Sequence, residues 1–296
     1  MSEQNRHADV VHQPPAQGIR TRLLSGLPVT DERILAAGID TSVLTGGEGP
    51  PVVLLHGAGE VAAGWMRVIP QLARQHRVVV PELPGHGASG IGDGPLDADR
   101  LLRWLGEIVE QTCPTPPVVV GRVAGGELAA RFAARHSSRI ERLVMVDSLG
   151  LGPFRPSPRF VLAIARFAVH PAEGSMDRLF RACMVDFDGL REELGKTWDA
   201  LSSYALDCAR SPEQKLGARR VMSAVGSPLP AEDLARITVP VSLIWGREDL
   251  QVRLRVAAAA SARHGWPLYV VDGAGDDPAF ERPEEFLAAL GMTTQS

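Results

Sequence analysis

Val118-Val119-Val120-Gly121-Arg122-Val123-Ala124-Gly125-Gly126 is the stretch of sequence that decides the fold. Three branched apolar residues in a row suit a short strand buried on both faces. The small residues that follow permit an abrupt turn, and Glu127 to Arg135 continues in good helix formers. Strand, tight turn and helix in that order is the setting in which Gly-x-Ser-x-Gly places a serine on a strained corner. The central position here is Val123, which has no lone pair, no exchangeable proton and no covalent chemistry. The corner is present without a nucleophile.

The same rhythm extends outward in both directions. Pro51 to Leu55 reads as a buried strand opening into His56-Gly57-Ala58-Gly59-Glu60, with a helix expected to about Gln75. Arg77 to Val80 is a further strand, and Pro81 to Ser89 a loop at its carboxyl end. Asp97 or Asp99 is placed to cap the next helix, whose apolar stripe is Leu101, Leu102, Leu105, Ile108 and Val109. Upstream, Arg33–Ala37 and Asp40–Thr45 flank Gly38 as an edge hairpin, behind a loose polar leader over 1–18. Downstream, a strand ends at Asp147. From 149 to 230 the alternation stops. Prolines 153, 156, 158 and 171 punctuate segments rich in phenylalanine, with Trp198 and Tyr204, and a helical insertion is expected. Strand Val241–Trp245, a helix to His264, strand Leu268–Val271 and a helix over Pro283–Leu290 close the chain.

Alternating strands and helices predict an α/β fold with a mostly parallel sheet covered on both faces. The expected divisions are the leader (1–18), a first core part (19–148), a helical cap (149–230) and a second core part (231–296). An insertion above the carboxyl edge of a parallel sheet is placed to roof a pocket. Its aromatic stripes read first as helix-packing core.

A chain of 296 residues, 45% hydrophobic, can bury a large core. Net charge −4 argues against a broad basic surface for nucleic acid or anionic lipid. Three cysteines without zinc-ligand spacing read as reduced thiols of a cytoplasmic protein. No apolar run reaches membrane-spanning length, so no membrane is expected as a partner. No Gly-x-Gly-x-x-Gly follows a strand and no Walker-type loop occurs, so neither cofactor nor metal is expected.

With these motifs in order, the chain resembles the α/β-hydrolase family, in particular its cap-bearing esterases, haloperoxidase-like enzymes and carbon–carbon bond hydrolases. His56-Gly57-Ala58-Gly59 is similar to the family's oxyanion loop, and Pro84-Gly-His-Gly-Ala-Ser89 to its next loop. Gly121 to Gly126 matches the elbow register. Trp245-Gly-Arg-Glu-Asp249 resembles the strand end that supplies the triad acid, and Gly273-Ala-Gly-Asp276 the segment that supplies the histidine. The resemblance thus puts the acid at Asp249, Val123 at the nucleophile position and Asp276 at the histidine position. It also implies an oxyanion hole from the backbone N–H groups of Ala58 and Ala124. Ser137, Ser138 and Ser148 lie outside the elbow register.

Serine-ester hydrolysis is therefore not expected. Asp276 and Asp249 are expected to face one another beside Val123, sharing a proton and serving as general acid and base. Glu60 is a candidate pocket residue. Asp147 ends its strand where some family members carry the acid. Structural readings stand beside these: Asp276 as a turn-capping or solvated carboxylate, Asp249 as an acceptor for loop amides, Glu60 in a surface turn, Asp147 as scaffold. His56 and His86 read as loop-holding histidines, and Arg122 as partner to a nearby acid. His170, Cys183 and Cys208 are lesser cap candidates.

The favoured function is non-covalent acid–base chemistry on a small apolar carbonyl metabolite, of lyase, cyclase, dehydratase or isomerase type, as in secondary metabolism. The alternative is a ligand-binding pseudoenzyme or receptor, and the residual one an atypical hydrolase. The partner is then a small metabolite, and a homodimer is left open.

Overall fold

A computed structural model of the chain describes residues 17–292. Eight strands form one sheet: β1 (Thr30–Ala36), β2 (Ile39–Gly46), β3 (Pro51–Leu55), β4 (Arg77–Pro81), β5 (Val118–Arg122), β6 (Arg142–Val146), β7 (Val241–Gly246) and β8 (Leu268–Val271). The spatial order is β1-β2-β4-β3-β5-β6-β7-β8. The β1–β2 and β2–β4 pairs are antiparallel, and every later pair is parallel. Side chains alternate between two cores, as strands buried on both faces require. Val53, Leu55, Val119, Leu143 and Met145 join helices Ala98–Thr112, Ala124–His136 and Leu254–His264. Val52, Leu54, Val118, Val120, Val144 and Val146 join Ile69–Leu72 and Pro283–Leu290 on the other face.

Asp97 is the residue that caps Ala98–Thr112, accepting from the Arg100 N–H at 2.8 Å. Two expectations need correction. No continuous helix runs to Gln75: the segment is a 3₁₀ turn, Ala62–Trp65, and a short helix, Ile69–Leu72, which Pro70 enters in its first turn. Proline lacks the donor an uninterrupted helix would need there. The leader expected over 1–18 lies outside the described residues up to 16, and a helix, Gln17–Leu24, starts within its last two positions.

Between β6 and β7 the chain runs through Pro158–Val169, Glu173–Cys183, Phe187–Leu194, Lys196–Arg210 and Pro212–Val225. Pro158 and Pro212 open helices rather than break them, because the first turn leaves its N–H groups unpaired in any case. The aromatics pack on one another. Phe180 and Phe187 stack at 6.0 Å, and Trp198 meets both edge-on at 5.0 and 5.3 Å. Trp198 also lies 6.4 Å from Phe280, which follows β8, so the aromatic knot ties the helical insertion to the body.

Candidate active site

The corner between β5 and helix Ala124–His136 is held at Val123, with φ 50° and ψ −112°. A β-branched residue at positive φ is strained, at a cost of about 1–3 kcal/mol. Packing over-determines the corner. Val123 N–H donates to Val146 O and Val123 O accepts from Leu149 N–H, each at 3.1 Å. A Cβ on Gly121 would strike Gly125 O, and one on Gly125 would strike the carbonyls of Leu55 and His56. The end of β3 thus lies directly against the first turn of the helix. Val123 is 4% exposed. Ser148 does not replace the missing hydroxyl: it is fully buried behind Gly126 and donates to Leu149 O at 2.8 Å.

The loops around the corner are fixed by histidines acting as acceptors. His86 Nε2 accepts from Gly59 N–H at 2.9 Å, and burial pushes its pKa down to about 4, so the ring is neutral. His56 Nε2 accepts from Leu83 N–H at 3.0 Å, and Nδ1 lies 2.8 Å from Gly57 O. Glu60 Oε2 accepts from Gly57 N–H at 2.8 Å and also pairs with Arg122. Glu60, the expected pocket residue, is therefore engaged in holding the corner. Arg122, itself buried, pairs on its other side with Asp277, the cap of helix Pro278–Glu281. One guanidinium thus bridges the loop after β3 and the loop after β8.

Carboxyl groups gather at the ends of β6, β7 and β8. Asp249 Oδ1 accepts from the Gln251 and Val252 amides at 2.6 and 2.9 Å, while buried Oδ2 has no ordinary donor. Asp147, fully buried at φ 41°, accepts from Gly246 N–H at 2.9 Å through Oδ1, and its Oδ2 likewise lacks a donor. Asp249 has two amides to stabilise its anion and Asp147 one, and each carboxyl lies close enough to act on the other. Burial first, then the neighbouring carboxylate, drives both pKa values up: Asp249 to about 8 and Asp147 well above the usual carboxylate range.

Asp276 stands alongside, and after burial its charge is the largest influence raising Asp249. Asp276 is partly buried; desolvation raises its pKa, and Arg122 and a hydrogen bond from the Cys183 thiol oppose the rise. The Cys183 thiol is itself pushed well up by burial and by Asp276, so it is a donor and not a thiolate. Cys183 O accepts from Asp276 N–H at 3.1 Å, and Glu281 accepts from Val185 and Gly275 N–H, each at 2.7 Å. The insertion is thereby stitched to the Asp276 loop. Cys208 sits instead beside Tyr204, and His170 is an exposed helix end.

Asp147 comes to the cluster through topology: β6 and β7 are neighbours, so the segments following them converge.

A model of the alpha/beta hydrolase family matches residues 52–289. A 2-hydroxy-6-oxo-6-(2'-aminophenyl)hexa-2,4-dienoic acid hydrolase of Metapseudomonas resinovorans is 34% identical over 265 residues, covering 86% of this chain and 87% of its own. A pimeloyl-[acyl-carrier protein] methyl ester esterase of Chromobacterium violaceum is 29% identical over 262 residues, 84% of this chain and 95% of that one. The crystal structure of a serine hydrolase involved in carbazole degradation superposes with a TM-score of 0.74 at 24% identity, covering 89% of this chain and 98% of that one.

Proposed function

The chain belongs to the alpha/beta hydrolase family, and on that premise we propose that it acts on a small apolar carbonyl metabolite by acid–base chemistry without a covalent intermediate. The supporting observations are an aliphatic residue at the elbow and a cluster of desolvated carboxyls, Asp147, Asp249 and Asp276, whose pKa values burial raises. Covalent acyl transfer needs an attacking oxygen at the corner, and Val123 has none. The backbone N–H groups of Ala58 and Ala124 are the ones to hold a carbonyl or enolate oxygen. Asp276, partly exposed and with its pKa raised by desolvation, is the group that exchanges a proton with the substrate. The Asp147–Asp249 pair behind it keeps a proton at neutral pH and limits how much negative charge the pocket carries. Cys183, reaching over from the helical cap, orients the Asp276 carboxyl through its thiol. Lyase, cyclase, dehydratase and isomerase steps all use these roles.

A fluorophosphonate probe tests the reading. The expected result is no labelling of the parent protein, and weak labelling of a double variant, Val123→Ser with Asp276→His, at position 123. Stoichiometric labelling of the parent would return the protein to the serine hydrolases.

A further inference from the structure

Beside the Asp249 turn lies an open groove of about 410 Å³, lined by Pro153, Arg155, Gln251, Val252, Arg253, Arg255 and Val256. It forms where the start of the helical insertion crosses the segment after β7, a crossing fixed by Ser157 N–H donating to Leu250 O at 2.8 Å. The lining holds three arginines and no carboxylate. Arg20 meets Asp31, Arg122 meets Glu60 and Asp277, and Arg131 meets Glu127. Arg155, Arg253 and Arg255 meet no carboxylate among the described residues. Asp249, the acid nearest to them in sequence, turns its Oδ1 to the Gln251 and Val252 amides and its other oxygen toward Asp147.

Two further features favour an anion here. Arg253 Nε is shut off from solvent and has no acceptor among the described residues. The outer nitrogens of the same half-buried guanidinium meet no carboxylate and are available to an anionic oxygen in the groove. Arg253 also precedes helix Leu254–His264, whose N-terminus has neither a side-chain cap nor an acidic residue in its first turn. The free N–H groups and dipole of that end attract negative charge to the same place.

We propose that this groove is a binding site for a small organic anion, held through its carboxylate or phosphate by Arg155, Arg253 and Arg255 at the N-terminus of helix Leu254–His264. The planar guanidinium groups match either oxyanion in forked geometry. The site is separate from the acid–base chemistry and does not depend on it.

Calorimetric titration of the full chain at low salt with inorganic phosphate, and separately with malonate, tests the proposal. The expected result is saturable 1:1 binding of at least one probe, weakening with added salt. Whichever probe binds more tightly identifies the oxyanion. Arg253→Gln, and separately Arg155→Gln with Arg255→Gln, should weaken it roughly tenfold or more. Arg103→Gln, on an exposed face elsewhere, should leave it unchanged, as should Asp276→Asn; binding that survives Asp276→Asn while turnover fails separates this site from the catalytic reading. No saturable binding of either probe, or equal binding by the triple arginine variant, overturns the proposal.

Discussion

At the ends of β3 and β5 the site is made of backbone, whereas at the ends of β6, β7 and β8 it is made of carboxyl groups. The first region is set by close approach: Gly121 and Gly125 let a strand end, a turn and a helix start share one point, and Arg122 bridges Glu60 to Asp277. Nothing in that arrangement requires a serine, so Val123 occupies the corner at some cost in strain and leaves its N–H directions in place. The second region is set by side-chain chemistry, and there identity is decisive. Asp147, Asp249 and Asp276 gather there, and burial first, then the charge of neighbouring carboxyls, raises Asp147 and Asp249. A corner keeps its geometry through its neighbours, while a carboxyl cluster depends on the identity of each member.

The comparison can be broken first at the carboxyl side. Asp276→Asn should lower turnover of the physiological substrate by about 10²–10⁴-fold while ligand affinity and fold persist, because an amide keeps the shape and cannot exchange the proton. Steady-state kinetics with a parallel binding isotherm would check this. Normal turnover would remove Asp276 from the chemistry, and binding without turnover by the parent would support a receptor.

The backbone side should answer in stability. Gly125→Ala forces a methyl into the carbonyls of Leu55 and His56 and should cost about 1–3 kcal/mol in urea unfolding. A neutral result would mean that the corner is looser than its packing implies.

A smaller effect concerns pH. Asp249, raised to about 8, binds its proton more tightly folded than unfolded, where carboxyls titrate near ~4. Its contribution to stability is therefore complete below about pH 4 and is lost as pH rises through about 8. Glu127 and Glu281, each pushed to about 7 by burial, act in the same direction. Unfolding free energy should fall between about pH 4 and 8, and Asp249→Asn should flatten that slope by up to about 1.4 kcal/mol per pH unit. An unchanged slope would place the titration on another group.

Much of the architecture was legible because strand and helix periods are local. Strand Leu268–Val271 and helix Pro283–Leu290 coincide with their sequence reading. The segment after Glu60 did not, since Pro70 cut a helix that the apolar pattern alone suggested. The register of motifs located Val123, Asp249 and Asp276 along the chain. The approach of Asp147 to Asp249 is not visible in that register, because it arises from strands β6 and β7 lying side by side. The hold of Arg122 on both Glu60 and Asp277 joins residues far apart in sequence and is likewise a product of the folded sheet.

The central claim is that burial and mutual charge keep a proton on the Asp147 and Asp249 carboxyls at neutral pH. Carbon-13 NMR of aspartate-labelled protein reads this directly through the side-chain carboxyl shifts across a pH series. The account predicts a protonated carboxyl signal at pH 7, deprotonating in a step near pH 8 that belongs to the pair and disappears in Asp249→Asn. If every aspartate carboxyl is ionised by pH 6, Asp147 and Asp249 share no proton and the account is contradicted.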